Sequence, residues 1–480
     1  MFVTGADGSD ARADDMAKRW TAQLAGPLLL VAATAGLLRQ GVYYPSMQRF
    51  VGLLIGAATL LGLAAWPLTR DDVRLLPVVP ALALAAWAVL DAALAGVADA
   101  GAGPALLLVG VVAVLLVCRR LRQQDREIVL AGVTCIGLLV ALTGWLGVAG
   151  RVGSWAFQAQ GLWRASSTLT YPNATAAVLA PISLLVLGRL VGTPGSVPLT
   201  LAATGLLAGL AATMSRAGAL ALVVGLVVLA GLRGPRAVAW AAVGPSAGAL
   251  VALVCLLPSM PAAGPPRPAL ALVGLCAGLA VAAMVVRVRR WPALALLGGV
   301  LAVGVVGLLA TGGGVGGAAH TVAQARVNLA SRDRTGALHG ALRLVAQHPL
   351  TGTGPGHAQL RWKGQGHGAQ LFAYVHNEYL QVAAELGLVG LVLLAVLLVA
   401  IACLLWRARH RPPGCHLGWR GRGGGSLRHP QRLRLRLAPT SHRAHRDAAG
   451  RRRTPDIRHR SFPPAIPTHV KEPNENQPAH

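Results

Sequence analysis

Long apolar runs alternate with short polar clusters along most of this chain, from about residue 22 to residue 406. A helix needs roughly 20 apolar residues to cross a hydrocarbon core about 30 Å thick. Segments 51–66, 106–118 and 391–406 are apolar on every face, whereas a soluble surface helix needs only one apolar stripe. The runs place about twelve spans, near 22–38, 50–68, 75–95, 103–118, 128–149, 173–191, 198–213, 217–232, 236–257, 268–286, 291–310 and 383–406. Lipid offers the backbone no hydrogen-bond partner, so each span must be a helix or belong to a closed barrel. Barrel strands would read as alternating segments of about ten residues, and these runs are instead continuous Leu, Ala, Val and Gly. The pattern predicts an all-α integral membrane protein of about twelve transmembrane helices, with one large extracytoplasmic loop before the last.

Five regions follow: a cytoplasmic N-terminus (1–21), a membrane domain of about eleven helices (22–310), the loop (311–382), the last span (383–406) and a basic tail (407–480). The first apolar run has no cleavage site after it, so it reads as a retained helix rather than a removed signal peptide. Hydrophobic residues make up 54% of the chain and charged residues 13%, too few charges to coat a soluble surface. Small residues, Gly above all, suit close helix packing in lipid. Five of the six Cys lie in or beside apolar runs and none forms a CxxC pair, which leaves no zinc or disulfide framework.

The net charge of +27 points away from nucleic acid once it is located. From residue 407 onward there are sixteen Arg, one Lys and four acids, so 17 − 4 = +13 sits in the tail. That tail has no periodic apolar face and is expected to be disordered. On the cytoplasmic side it would attract anionic lipid. A shifted reading frame in GC-rich coding would leave the same abrupt break, and translating the other frames tests that. The remaining cations follow the membrane. With the N-terminus cytoplasmic, fifteen Lys and Arg fall in inside segments and six in short outside loops, the bias that sets orientation.

Polar chemistry concentrates in two places. All fourteen His lie after residue 319, six of them in the loop: His320, His339, His348, His357, His367 and His376. Within the loop, Leu338, Ala341, Leu342 and Val345 recur at helical spacing and predict an amphipathic helix from 334 to 347, ended by His348-Pro349. Gly352-Thr-Gly-Pro-Gly356 follows and reads as a tight turn. It lacks the preceding strand and the Gly-Lys-Ser/Thr of a phosphate loop. His376-Asn377-Glu378-Tyr379 then precedes the last apolar run. Its simplest reading is a helix N-terminus at the membrane interface; a His there is also suited to act as a general base on an acceptor hydroxyl. The second place is mid-chain. Met214-Ser215-Arg216 lies between apolar runs, where Arg216 either snorkels to the interface or faces a polar cavity and grips an anion. Residues 164–173, Arg-Ala-Ser-Ser-Thr-Leu-Thr-Tyr-Pro-Asn, precede a span for which Asn173 is a candidate N-cap. Asn173-Ala-Thr175 also fits a glycosylation acceptor.

These elements, in this order, resemble the O-antigen ligase and O-antigen polymerase family of bacterial envelope membrane proteins. His376-Asn377, a nine-residue gap and Gly387-Leu-Val-Gly390 match the family pattern. Arg334 to Leu350 and Gly352 to Gly356 resemble its arginine, helix, His-Pro-Leu and glycine-turn segment. Tyr171-Pro-Asn173 is similar to its Asn-Pro-Asn, and Met214-Ser-Arg-Ala-Gly218 to its Ser-Arg-Gly element. Two positions depart: Leu338 stands where an aromatic is usual, and Tyr171 replaces the first Asn.

The resemblance implies glycosyl transfer at the outer face of the cell membrane, in cell-surface polysaccharide assembly. The donor would be a polyprenyl-diphosphate-linked saccharide and the acceptor a glycan or other hydroxyl. His376 would be catalytic, and Arg216, Arg334 and Arg164 would bind the diphosphate, with Asn377 and Tyr379 in support. No outside carboxylate cluster calls for a metal, and no cofactor is implied. A transporter or lipid-linked glycan flippase shares the hydropathy and remains the alternative. Such proteins often carry mid-membrane charges and repeated halves, and here no repeat is detected.

Overall fold

A computed structural model describes residues 7–42, 45–65, 69–70, 75–287, 314–327, 332–363, 369–372, 375 and 377–409. The expected span at 291–310 and the tail beyond residue 409 lie outside the described residues.

Each of the other expected spans coincides with a helix. In chain order these are α1 (Asp7–Leu38), α2 (Pro45–Ala65), α3 (Val78–Leu94), α4 (Ala102–Arg120) and α5 (Gln123–Gly150), then α6 (Pro172–Gly192), α7 (Val197–Ala212), α8 (Arg216–Arg233), α9 (Pro235–Leu256) and α10 (Pro268–Arg287). Two helices of the loop segment follow, α11 (Gly314–Val327) and α12 (Arg332–Gln347), and then α13 (Glu378–Arg409). Among the described residues, eight helices are long and apolar enough to cross a membrane, and three shorter apolar ones accompany them. Proline opens several of these helices, at or near the first turn where its missing N–H and fixed φ do no harm. Large apolar side chains such as Leu53, Leu106, Leu107 and Leu220 face outward, as expected of a protein whose surroundings are lipid.

The interior is packed through small residues. α9 and α10 carry Gly244-x-x-x-Gly248 and Gly274-x-x-x-Gly278, the spacing that lets membrane helices approach closely. A Cβ on Gly248 would lie 2.3 Å from the Gly278 carbonyl oxygen, and one on Gly278 would lie 2.2 Å from that of Gly248. Two buried hydroxyls spend their protons on their own helix: Ser183 donates to Leu179 O at 2.7 Å and Thr204 to Thr200 O at 2.8 Å. They add polarity to the core without stranding a donor.

Two features differ from the sequence reading. Among the described residues, four short strands interrupt the all-α pattern as two antiparallel hairpins, β1 (Ala156–Ala159) with β2 (Leu162–Ala165), and β3 (Leu360–Lys363) with β4 (Ala369–Phe372). The first turns at Gln160 and Gly161, both at positive φ (55° and 73°), the backbone that tight hairpins favour. The loop helix α12 forms as expected, with its packed face rotated: Ala341 and Val345 stay on it and Leu338 and Leu342 do not. Ala337 and Ala341 are buried against Leu360, Val375 and Ala384, with Leu344 and Val345 packed alongside, while Leu338 and Leu342 are exposed. The reason is size: at this close crossing the small alanines turn inward.

Gly248→Leu should force α9 and α10 apart at a cost of about 3 kcal/mol or more. A thermal unfolding curve of the lipid-reconstituted protein should show the lower midpoint, and an unchanged midpoint would argue against backbone contact at this crossing.

Candidate functional site

The last helix is broken. Inside α13, Gly387 sits at φ 66° and ψ −172°, so the chain steps out of the helix and re-enters at Leu388. A break frees carbonyls that lipid cannot satisfy, and the glycine turn supplies their donors. Thr353 N donates to Ala384 O and Gly354 N to Glu385 O, each at 3.0 Å. The Thr353 hydroxyl adds a bond to Ala384 O at 3.2 Å, and Trp87 Nε1 of α3 donates to Leu386 O at 2.9 Å. In return Leu388 N bonds Pro349 O at 2.8 Å. Glycine is required on both sides of this joint. Gly352 lies at φ 70°, and a Cβ there would stand 2.4 Å from the Glu385 carbonyl; a Cβ on Gly387 would stand 2.1 Å from Leu350 O. The turn reading of residues 352–356 fits this, since the Thr353 and Gly354 amides are committed to α13 and that of Gly352 to His348 O.

The N-terminus of α13 carries the other loop motif. Asn377 Oδ1 accepts from Leu380 N at 3.2 Å, a side-chain cap on the first turn. Gln381 accepts from Val375 N at 2.8 Å through its Oε1 and bonds Glu385 through its Nε2. Tyr379 is exposed. His376 itself lies outside the described residues. Arg334 falls in the first turn of α12, and its side chain also lies outside the described residues.

The mid-chain residues, scattered in sequence, converge. Arg164 on β2 is buried, and its Nε donates to Thr213 O at 2.9 Å. Its Nη2 donates to Asn173 Oδ1 at 3.3 Å and reaches Met214 O at 3.5 Å. Ser215 caps α8, accepting from Gly218 N at 3.2 Å and donating its own proton to Asn173 Oδ1 at 2.9 Å. Arg216, half-buried, is the first residue of α8. Met214, just before the cap, holds φ 49°, a strained backbone for a residue with a side chain. The Arg164 guanidinium thus holds the turn, Thr213 and Met214, that leads into α8 and its first residue, Arg216, and the helix dipole at that terminus favours an anion.

Asn173 is not the N-cap of α6. Tyr171 occupies that position, Pro172 opens the helix and Asn173 falls in its first turn, because proline, with a helical φ and no N–H to strand, suits the first helical position. Its side chain is free to leave the helix and join β2 to α8. The hairpin under Arg164 is fixed in turn. Trp163 N bonds Met260 O at 2.7 Å, and the Arg151 guanidinium donates to Ser259 O, Ala262 O and Pro261 O. Partial burial pushes the pKa of Arg151 below its ordinary value. One further residue escaped the sequence reading. Asp91 of α3 is fully buried, and neither carboxylate oxygen finds a partner among the described residues. It lies one turn beyond Trp87 and one before Ala95, which abuts Gly354; helical spacing therefore puts it on the face toward the glycine turn. Its only sequence signal was an acid inside an apolar run. No cluster of three or more His, Cys, Asp or Glu suited to a metal occurs among the described residues.

Residues 269–395 match the family model described as O-antigen ligase. The match runs from α10 through the glycine turn into α13, and so covers the broken helix and its capping loop; the Arg164–Arg216 cluster lies outside it. No curated protein and no solved structure matches the chain.

Gly387→Ala should cost at least about 2 kcal/mol, from left-handed strain plus displacement of residues 350–352. The variant's unfolding midpoint and yield in membranes check this, and wild-type values for both would mean that the joint is loose.

Proposed function

From the O-antigen ligase domain that the chain carries, matched over residues 269–395, we propose that the protein transfers a saccharide from a polyprenyl-diphosphate donor to a glycan or other hydroxyl acceptor in cell-surface polysaccharide assembly. The observation that carries the proposal beyond the family match is that the buried Arg164 guanidinium holds the Thr213–Met214 turn leading into α8, whose first residue is Arg216.

In the transfer the acceptor oxygen forms a bond to the anomeric carbon, and the bond from that carbon to the diphosphate oxygen breaks. The acceptor proton passes to the His376 imidazole, acting as general base. The leaving diphosphate takes the electron pair, and its growing charge needs fixed cations. Guanidinium forks suit phosphate oxygens and hold them in two-point contact. Arg216, half-buried at the head of α8, and Arg334, in α12, are the residues we assign to that contact. Arg164 is buried behind the same turn and lends its charge from there. Asn377 and Tyr379 support the catalytic segment, Asn377 by capping the helix that follows His376. The donor's lipid tail would lie along the bilayer, with the loop on its extracytoplasmic side.

His376→Ala should leave the protein in the membrane and abolish polymer or ligated product in cells; normal product from that variant would remove His376 from the mechanism. Arg216→Lys keeps the charge and loses the fork. Steady-state kinetics should show kcat/KM for the donor reduced about tenfold or more, and wild-type kinetics would contradict bidentate contact.

A further inference from the structure

Asn173 stands at the crossing of three elements, and its orientation is fixed by chemistry. Arginine has only donors, so the amide atom facing Arg164 Nη2 must be the oxygen. The same oxygen receives the Ser215 hydroxyl proton, because Ser215 Oγ is already accepting from Gly218 N. The amide nitrogen then points the other way and donates to the Tyr171 hydroxyl at 3.1 Å. One carboxamide oxygen therefore ties α6 to the buried guanidinium of β2 and to the cap of α8. Arg216 follows that cap directly, and Met214 precedes it with its backbone in the left-handed region. A turn in that conformation persists only where its surroundings hold it, and Arg164 and Asn173 are the side chains that grip it.

We propose that Asn173 is a positioning residue: its carboxamide oxygen sets Arg216 and the α8 N-terminus against Arg164, and so sets the site's preference for a diphosphate over a single phosphate. The inference rests on the diphosphate reading above. A monophosphate needs one cationic contact. A diphosphate carries charge on two phosphorus centres and gains from cationic groups held at a constant separation. Losing the tether leaves Arg216 in place but frees its turn to move against β2.

The test uses the full chain in lipid nanodiscs, with undecaprenyl diphosphate and undecaprenyl monophosphate as probes. Wild type should bind the diphosphate more tightly, and Arg216→Ala should weaken that binding. Asn173→Ala should weaken diphosphate binding about tenfold while leaving monophosphate within about threefold, so that the preference collapses. Should Asn173→Ala fail to fold, Ser215→Ala removes the hydroxyl that the Asn173 oxygen holds and so cuts the same tether at its α8 end. It should lower diphosphate affinity by a similar factor while monophosphate binding stays within about threefold. Wild-type preference in either folded variant, with Arg216→Ala still defective, would overturn the role of Asn173 and leave the diphosphate reading standing. Equal loss for both lipids alongside a lower melting temperature would reduce Asn173 to a structural part and overturn the inference. No preference in wild type, or no effect of Arg216→Ala, would overturn the diphosphate reading itself.

Discussion

Breaking a helix beside lipid exposes carbonyl groups that the surroundings cannot satisfy, and at Gly387 this constraint dictates much of the local architecture. The freed carbonyls of residues 384–386 accept from Thr353, Gly354 and Trp87. Meeting that demand requires a glycine turn of the right reach, a helix to lead into it and an indole on α3. The loop segment is thereby anchored to the last helix at residues 384–388, a few turns after the His376-Asn377 motif. The spacing between the loop glycines and Gly387 follows from this: they are two sides of one interlocking joint, where a Cβ on either side would meet backbone.

The second polar centre follows a similar logic with a charge in place of carbonyls. A buried guanidinium is tolerable only when its donors are used, and Arg164 spends them on Thr213, Met214 and Asn173. Those bonds fix the turn that begins α8. α8 also touches α13, which brings the helix headed by Arg216 into the same packed body as the broken helix. Fixed positive charge near one helix terminus and a capped, motif-bearing terminus on the other are the parts that a diphosphate leaving group and a hydroxyl acceptor demand.

Much of this was legible in the chain, and for a physical reason. Spans are read from hydropathy because lipid imposes one rule on every residue of a span, and apart from α1, which starts at Asp7 well before residue 22, the helices begin and end close to where that rule places them. The glycine turn was legible because Gly352-Thr-Gly-Pro-Gly356 lacks what a phosphate loop needs. The hairpins were hidden: four-residue strands carry too short an alternation to register. Periodicity found α12 and two of its packed positions, Ala341 and Val345, but took Leu338 and Leu342 with them, where the packed face instead includes Ala337 and Leu344. Asn173 was legible as a helix-start residue, and its role was not, because Arg164 and Ser215 reach it only through tertiary packing.

The central claim is group transfer with release of the polyprenyl diphosphate. Its most direct test supplies the purified, reconstituted protein with a polyprenyl-diphosphate-linked oligosaccharide and a glycan acceptor, and counts free polyprenyl diphosphate against extended glycan. The account predicts that both appear, one molecule for one. Movement of the intact lipid-linked oligosaccharide across the bilayer, with neither product formed, would contradict it and leave a transporter in its place.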